Sequence, residues 1–396
     1  MLQVFTHANF PLMGRVKWFF IAFSTFALVI SVGTILTHGF NYGIDFAGGT
    51  AVRLKFREQP HIEQIRAALE GAGLGDVSLQ SIGGAADNEV LVRVELGQGQ
   101  GGPAAVSEGG EISRRVLEAL QSPEDFKEKQ AGKIDLNMIT EADLREWLGA
   151  HLPSGGGGVT TQDAPAIAAA LVKYRTDHAG LFASPSELAS IPGVTPEAAR
   201  LLQQQTFLGP FTLRSVDFIG PTAGKELLRN TLYAVFGSAA GILIYVWFRF
   251  KRWMWGLTSI IALVHDVVIA AGAVSLTHKE FSVDIVAALL TILGYSINDT
   301  IVVFDRIREN LRLYREVDFE TLVNASINQT LSRTILTSFT VFIAITALFI
   351  YGGDKLNPLS FCLMVGVVFG TYSSVFVAAA LLVIVYRYLG ARYVKV

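Results

Sequence analysis

The sequence predicts an α-helical polytopic membrane protein, with six transmembrane helices and an extracytoplasmic α+β ferredoxin-like domain that carries a helical insertion. Hydrophobic residues make up 51% of the 396-residue chain and charged residues only 17%, and the mean hydropathy is positive at +0.43. The apolar residues gather in runs of about 18 or more, the length a helix needs to cross roughly 30 Å of hydrocarbon. A long polar stretch with strand-like alternation separates the first run from the second.

Six apolar runs are long enough to span a membrane. The first is too long for the apolar core of a signal peptide, and no small-residue cleavage motif follows it, so we expect it to remain as an anchor. The only cysteine, Cys362, lies in the last run, so no internal disulfide forms and we expect no metal or redox role. The predicted spans are Trp18–Leu36, Thr231–Phe248, Trp253–Leu276, Val283–Phe304, Thr334–Tyr351 and Pro358–Tyr386.

Lys and Arg residues are distributed unequally between the two sets of short loops. One set holds only Lys279 and Lys355. Because cytoplasmic loops collect Lys and Arg, both termini are predicted to lie in the cytoplasm and the segment from Thr37 to Arg229 outside it. The other set, on the predicted cytoplasmic side, holds Arg15, Lys17, Arg249, Lys251, Arg252, Arg306, Arg308, Arg312, Arg315, Arg333, Arg387, Arg392 and Lys395.

The outer segment begins with GIDFAGGT at residues 43–50, and the alternating run Ala51–Phe56 that follows is typical of a strand. The later elements complete the order βαββαβ, which is that of a ferredoxin-like sandwich. They are predicted as a helix at His61–Gly71, strands at Val77–Ile82 and Glu89–Leu96, a helix at Glu111–Gln121 and a closing strand at Thr212–Ile219.

About ninety residues separate the last predicted helix from the closing strand, too many for a simple connection in so small a fold. We predict that they form an inserted helical module. The resulting organisation is 1–37 for the cytoplasmic N-terminus and first span, 38–122 with 210–228 for the outer domain, 123–209 for the insertion, and 229–396 for the remaining spans.

Within the insertion, SPSELASIPGVTPEAARLLQQQ at 184–205 resembles a helix-hairpin-helix unit with IPGV as its turn. Arg200 is its only basic residue, against Glu187 and Glu197, so the positive charge that binds a phosphate backbone is missing. We expect a packing or protein-contact role and no nucleic acid. The glycine run Gly155–Gly158 lacks the Lys-Ser/Thr ending of a phosphate-binding loop and is predicted to be a linker.

Two aspartates fall within predicted spans, where an ionised side chain costs several kcal/mol. Asp266 lies in the third span next to His265, and Asp299 in the fourth. Arg333 opens the fifth span, and its long side chain can reach the depth of Asp299. Two interpretations remain open for this pair: a proton relay in which Arg333 tunes the protonation of Asp299, or a static ion pair. Asp266 either belongs to the same proton pathway or hydrogen-bonds across helices.

Five motifs, in this order, resemble the SecF family of protein-export subunits, within the SecD/SecF family and the resistance-nodulation-division superfamily. The resemblance covers most of the chain, but the segment 123–209 departs from the usual, shorter outer domain and its function is not implied. The motifs are GIDFAGGT (43–50), SVDFIGPTAGKEL (215–227), VHDVV (264–268), GYSINDTIVVFDRIREN (294–310) and SRTILTS (332–338). The family motif positions carried over are Gly43, Asp45, Gly48, Gly49, Gly294, Asn298 and Asp305.

The resemblance implies a six-span half that pairs pseudo-symmetrically with SecD in the bacterial inner membrane, with its large loop in the periplasm. The implied partners are SecD, the SecYEG channel with YidC and YajC, and the translocating preprotein. It further implies that the proton motive force drives late-stage translocation without an ATP site or cofactor. The family's proposed proton-pathway residues correspond to Asp299 and Arg333.

Two alternatives to protein export remain open. A proton-coupled small-molecule exporter of the same superfamily would use the same intramembrane acid and outer domain, although such a pump usually carries twelve spans and two outer domains in one chain. A purely structural assembly subunit would use neither the intramembrane acid nor the outer domain for transport. The chain contains no nucleotide-binding loop, nucleophile elbow or metal-ligand cluster, so we do not expect an enzyme.

Overall fold

The chain folds as two compact units, residues 1–46 with 226–396, and residues 47–225. The first contains the apolar helices, and the second contains most of the segment between the first two spans. The structure is a computed structural model that describes residues 10–74, 77–82, 87–94, 104–152, 160–178, 180–250, 253–314 and 316–389, apart from the side chains of 104–108, 221, 354 and 389.

Six helices among these described residues are long and apolar enough to cross a membrane, which confirms the predicted number of spans. Span 6 is interrupted by a single π-helical turn. The helices are span 1 (Val16–His38), span 2 (Pro221–Phe250), span 3 (Trp253–Leu276), span 4 (Val283–Leu313), span 5 (Phe319–Tyr351) and span 6 (Gly353–Ser373, the π-turn Ser374–Ala378, and Ala379–Leu389).

Spans 4 and 5 are longer helices than their apolar runs predict. Span 4 continues past Phe304 to Leu313, and span 5 begins at Phe319 rather than at Thr334. The added turns are amphipathic, so hydropathy ends before the helix does. Their buried residues recur at helical spacing: Ile307, Asn310, Phe319, Leu322, Val323, Ser326, Ile327 and Thr330.

Spans 3, 4 and 6 form the centre of the first unit, with 61%, 44% and 61% of their apolar windows buried. Spans 1, 2 and 5 stay largely exposed, with 17%, 6% and 11% buried. Span 2 is held mainly at its C-terminal end, where Val246 and Phe250 are buried. Arg249 also forms an ion pair with Asp305 of span 4. The exposed spans therefore face lipid or another protein.

The second unit contains a four-stranded antiparallel sheet in the order β2-β3-β1-β6. Helices α1 and α2 complete the chain order β1-α1-β2-β3-α2-β6. Val52, Leu54 and Val92 of the sheet pack with Leu69 of α1 and Val116 of α2 in one apolar core. The elements are β1 (Gly49–Phe56), α1 (Ile62–Gly71), β2 (Val77–Ile82), β3 (Glu89–Val94), α2 (Ala104–Ala119) and β6 (Phe211–Ile219).

The segment between α2 and β6 has an apolar core of its own, which includes Leu148, Ile167, Leu171 and Leu202. The parallel pair β4 and β5 closes it at the base. The second half of the predicted hairpin is a helix, but its first half is only the 3-10 turn Pro185–Ser190. The elements are α3 (Pro123–Gln130), β4 (Ile134–Asp135), α4 (Glu141–His151), α5 (Ala164–Asp177), α6 (Pro196–Gln205) and β5 (Thr206–Phe207).

Buried Asn137 ties this segment to the sheet. Its side-chain amide donates to the Gly209 carbonyl at 2.8 Å and accepts from the Phe182 amide at 2.9 Å. The hydroxyl of Thr212, in β6, donates to the Asn137 carbonyl at 2.7 Å. Because buried polar groups are costly when unpaired, these bonds fix where the segment leaves and rejoins the sheet. The boundaries 123 and 209 themselves stay a prediction.

Candidate polar network inside the membrane bundle

Asp266 of span 3 is fully buried and has hydrogen-bond partners on two other helices. Its Oδ2 accepts from the hydroxyls of Ser296 in span 4, at 2.6 Å, and Ser373 in span 6, at 2.7 Å. Its Oδ1 lies 2.9 Å from Nδ1 of His265. Gly370 permits this approach, because a Cβ there would lie 3.2 Å from the Ser296 Cβ. Asp266 therefore joins spans 3, 4 and 6.

The π-turn of span 6 begins next to this aspartate. Ser374, its first residue, lies 3.1 Å from the Thr300 hydroxyl of span 4 and donates to the Gly370 carbonyl. Single π-turns inside α-helices are frequent at functional sites, because they change the side-chain register at one point of the helix. Here the π-turn directly follows Ser373, which bonds to Asp266. The side chains of span 6 after the turn therefore lie in a different helical register from Ser373.

Asp299 lies one helical turn from Ser296 on span 4 and is 3% exposed. Its Oδ2 accepts from the Ser338 hydroxyl of span 5 at 3.3 Å. Ser338 in turn accepts from the Tyr295 hydroxyl of span 4 at 2.8 Å and from the Thr371 hydroxyl of span 6 at 2.7 Å. Hydroxyls of spans 4 and 6 therefore meet at Ser338 of span 5, which in turn contacts the Asp299 carboxyl group.

Arg333 does not make the direct ion pair with Asp299 that the sequence suggests. Its side chain is exposed, and within the described parts of the chain no salt bridge joins the two. Ser338, which contacts Asp299, is five residues further along span 5, and five residues turn a helix by about 140° from its starting direction. The face of span 5 that meets Asp299 is thus not the face that carries Arg333.

The motif positions on span 4 divide between two surroundings. Asp305 pairs with Arg249, which lies at the C-terminal end of span 2. Gly294 and Asn298 lie on an exposed stripe of the helix, and a Cβ at Gly294 would meet nothing within 4 Å. No hydrogen bond to the Asn298 side chain is formed by any residue that the structure describes.

The motif after span 1 lies at the opposite end of span 4 from Asp305. Gly43 donates its amide to the Phe281 carbonyl at 3.1 Å, and Asp45 accepts from the Val283 amide at 3.0 Å. Gly48 and Gly49 have φ angles of +74° and +130°, a region that residues with a Cβ adopt only with strain. The two glycines therefore set the direction in which the chain enters β1.

Sequence reasoning found both buried acids but missed their hydroxyl partners, Tyr295, Ser296, Ser338, Thr371 and Ser373. A serine or threonine in an apolar helix gives little signal, because its hydroxyl can bond to the carbonyl four residues earlier, as Thr371 does with Val367 at 2.8 Å. Among the described residues, no group of three or more His, Cys, Asp or Glu side chains is arranged to hold a metal ion.

Two family models match the chain. One, described as the C-terminal part of the protein export membrane proteins SecD and SecF, matches residues 202–388, and the other, the SecD/SecF GG motif, matches residues 33–60. The protein translocase subunit SecF of Koribacter versatilis is 38% identical, covering 99% of this chain and 95% of the relative. SecF of Endomicrobium trichonymphae is 30% identical, covering 96% and 93%.

A solved structure is similar over most of the chain as well. The crystal structure of SecDF from Thermus thermophilus, described as a translocon-associated membrane protein, matches 96% of this chain with a TM-score of 0.64 and 31% identity. This chain spans only 39% of that longer SecDF chain. Near-complete coverage of SecF relatives at this identity shows the family, and the chain belongs to the SecF family of the SecD/SecF protein-export membrane proteins.

Proposed function

We propose that this subunit pairs with SecD and uses the proton motive force to drive the late stage of preprotein translocation across the inner membrane. The observation that carries the proposal is the burial of Asp299 against Ser338, in contact with hydroxyls from spans 4, 5 and 6. A buried intramembrane acid with convergent hydroxyl partners is suited to taking up and releasing a proton.

Protonation of Asp299 would change the hydrogen bonding of Ser338. A carboxylate only accepts hydrogen bonds, whereas a protonated carboxyl group also donates one. The Ser338 oxygen has two lone pairs, which already accept from Tyr295 and Thr371. If protonated Asp299 donates to it, the Ser338 proton is freed to donate to the Thr371 oxygen while Thr371 donates to the Val367 carbonyl, so proton binding reverses the hydrogen bond between spans 5 and 6.

Asp266 and Arg333 complete the proposed pathway. Ser296, which bonds to Asp266, lies one turn of span 4 from Asp299, so a proton reaching one acid changes the polarity next to the other. Arg333 is exposed on span 5 and makes no direct ion pair with Asp299, and its positive charge acts on that carboxyl group through space. No group of this chain is proposed to catalyse bond making, and no cofactor or ATP site is proposed.

Pairing with SecD is supported by the exposed stripe on span 4. The side chain of Asn298 lies in the middle of a membrane helix, where an unsatisfied amide facing lipid is costly. Gly294, one turn earlier, leaves room for close approach of another helix. We propose that a SecD helix covers this stripe, and that the SecYEG channel, with YidC and YajC, and the translocating preprotein are further partners.

Replacing Gly294 with Leu should lower the recovery of SecD with this subunit about tenfold, because the new side chain fills the space of the partner helix. The measurement is co-purification from native membranes. Gly241→Leu on span 2 is the matched control, since its Cβ also meets nothing within 4 Å. Equal recovery of SecD with both variants would remove span 4 from the interface.

The four-stranded sheet supports a ferredoxin-like assignment for the outer domain. Its order β2-β3-β1-β6 and its antiparallel pairs are those produced when two βαβ units interleave. We propose that this domain lies in the periplasm, that both termini lie in the cytoplasm, and that the module at 123–209 is an addition to the sandwich. The asymmetry of Lys and Arg between the loops supports this orientation.

Cysteine labelling tests the orientation. In a Cys362→Ala background, a cysteine at exposed Gln162 should react with a membrane-impermeant reagent in intact spheroplasts, and a cysteine at exposed Arg312 should react only after lysis. Parent protein with buried Cys362 serves as the unlabelled control. The reverse pattern would contradict the proposed topology.

A further inference from the structure

The segment that follows span 1 is fastened to the loop between spans 3 and 4. We name these two segments, residues 38–46 and 275–283, the outer clasp. Their short strands pair in parallel, with Asn41 opposite Glu280 and Tyr42 opposite Phe281. Ser275 donates its hydroxyl to the Gly39 carbonyl at 2.6 Å. Backbone and side-chain hydrogen bonds thus hold the clasp along most of its length.

An aromatic cluster closes the same clasp. The ring of Phe281 lies 4.4 Å from that of Phe40, 5.9 Å from Tyr42 and 6.1 Å from Phe46, measured between ring centroids. Aromatic pairs at such distances add to the stability that burial alone provides. Lys279 extends the clasp toward spans 5 and 6, where its Nζ donates to Asn357 at 2.5 Å.

Asp45 places its carboxylate at the first turn of span 4. The first amides of a helix have no partner within the helix, and a carboxylate is favoured there by hydrogen bonding and by the helix dipole. The residue before the helix, Ser282, provides no side-chain hydrogen bond. Asp45 accepts from the Val283 amide instead, from 238 residues away in the sequence.

Span 4 also carries Asp299, sixteen residues after Val283, which is about 24 Å along a helix that rises 1.5 Å per residue. A continuous helix transmits axial shift and rotation, so the position of its outer end sets how Asp299 meets Ser338. Asp45 therefore holds the first turn of the helix that carries Asp299.

We propose that Asp45 is a positioning residue, which holds the outer end of span 4 and so sets how Asp299 meets Ser338. The inference rests on the proposed proton-coupled function. It assigns to Asp45 a hydrogen-bonding role at a helix end, with no proton carried by Asp45 itself.

If Asp45 acts as a hydrogen-bond acceptor, Asp45→Asn and Asp45→Ala should differ in their effect on export, because Asn keeps an acceptor oxygen and Ala has none. Asn is as good a helix cap as Asp, so Asp45→Asn should keep most of the wild-type export rate. Asp45→Ala should lower that rate about fivefold, the population change that corresponds to a lost cap worth about 1 kcal/mol. Asp284→Ala is the matched control, since Asp284 is an exposed acid in the same first turn and should leave the rate within about twofold.

The readout is the pH profile of gradient-driven export in membrane vesicles that contain the subunit with SecD. If Asp45 positions Asp299, the profile of Asp45→Ala should move by about 0.7 pH unit, which is the same fivefold change on a logarithmic scale. The ionisable groups nearest Asp299 are Tyr295, through Ser338, and Arg333, and Asp266 bonds to Ser296, one turn of span 4 from Asp299. All of them stay unchanged in the series.

Asp299→Asn in the same vesicles separates the two hypotheses. Normal export by Asp299→Asn would overturn the proposed function. If Asp299→Asn is inactive and Asp45→Ala lowers the export rate without moving its pH profile, only the positioning role is overturned. The positioning role is also overturned if Asp45→Asn is as impaired as Asp45→Ala. If Asp45→Ala does not assemble with SecD, Asp45→Val, which also lacks a side-chain acceptor, replaces it with the same expected shift.

Discussion

Asp299→Asn should assemble normally with SecD and lose at least about tenfold of gradient-driven export, because the amide keeps the size of the side chain and its bond to Ser338 but binds no proton. The loss should be larger than that of any substitution in the outer unit. A tenfold loss of rate corresponds to about 1.4 kcal/mol in the activation free energy, less than the roughly 2.3 kcal/mol released when one proton crosses 100 mV.

The effect is measured as the fraction of preprotein that completes translocation when the proton gradient is the only energy source, with SecD recovery checked in the same membranes. Asp284→Asn, an exposed acid on the same helix, is the control for the loss of a negative charge. Full export by an assembled Asp299→Asn subunit would reduce Asp299 to an interhelix contact and move the proton path elsewhere.

Asp266 should be the most sensitive position for assembly. Asp266→Leu leaves the hydroxyls of Ser296 and Ser373 and the Nδ1 of His265 without their common acceptor. Ser373 can turn its hydroxyl to the Gly370 carbonyl at 3.1 Å, but an unpaired buried polar group costs about 1–3 kcal/mol, so the other two together cost a large part of the stability of a typical protein. Asp266→Leu should therefore be recovered at low levels and without SecD.

Asp266→Asn is the companion variant, since it can accept from both serines and donate to His265. It should assemble like the wild type and export more slowly, because it removes the second ionisable group of the proposed pathway. The amount of SecD-bound subunit and the export rate are measured on the same preparation. Wild-type stability of Asp266→Leu would contradict the network, and wild-type export by Asp266→Asn would take Asp266 out of the pathway.

The membrane helices are predictable from sequence because each span shows an uninterrupted apolar run. The extensions of spans 4 and 5 cannot be predicted from hydropathy, because their buried residues, such as Ile307 and Val323, alternate with charged residues that lower the average. The strand order of the outer sheet follows from the order of its elements. The hydrogen bonds of Asn137 at the base of the inserted segment cannot be predicted in this way, because a single buried amide gives no periodic pattern in the sequence.

The two acids of the site stand out in sequence because ionisable groups are rare in apolar runs. The pairing of Asp299 with Ser338 instead of Arg333 depends on the rotation of span 5, which the sequence determines only within a packed bundle. The role of Asp45 cannot be predicted from the sequence, because its hydrogen bond joins it to Val283, 238 residues further along the chain. A motif marks such a residue, but only the fold identifies the helix end that it holds.

Measuring proton movement during export shows whether export is coupled to Asp299. Inverted membrane vesicles with an acidic interior are loaded with late-stage translocation intermediates, and a pH-sensitive dye reports proton release while the preprotein completes its passage. We expect that preprotein completion accelerates proton release with the wild-type subunit, and that an assembled Asp299→Asn subunit shows no such acceleration. Equal proton release with both subunits would contradict the claim that export is coupled to the protonation of Asp299.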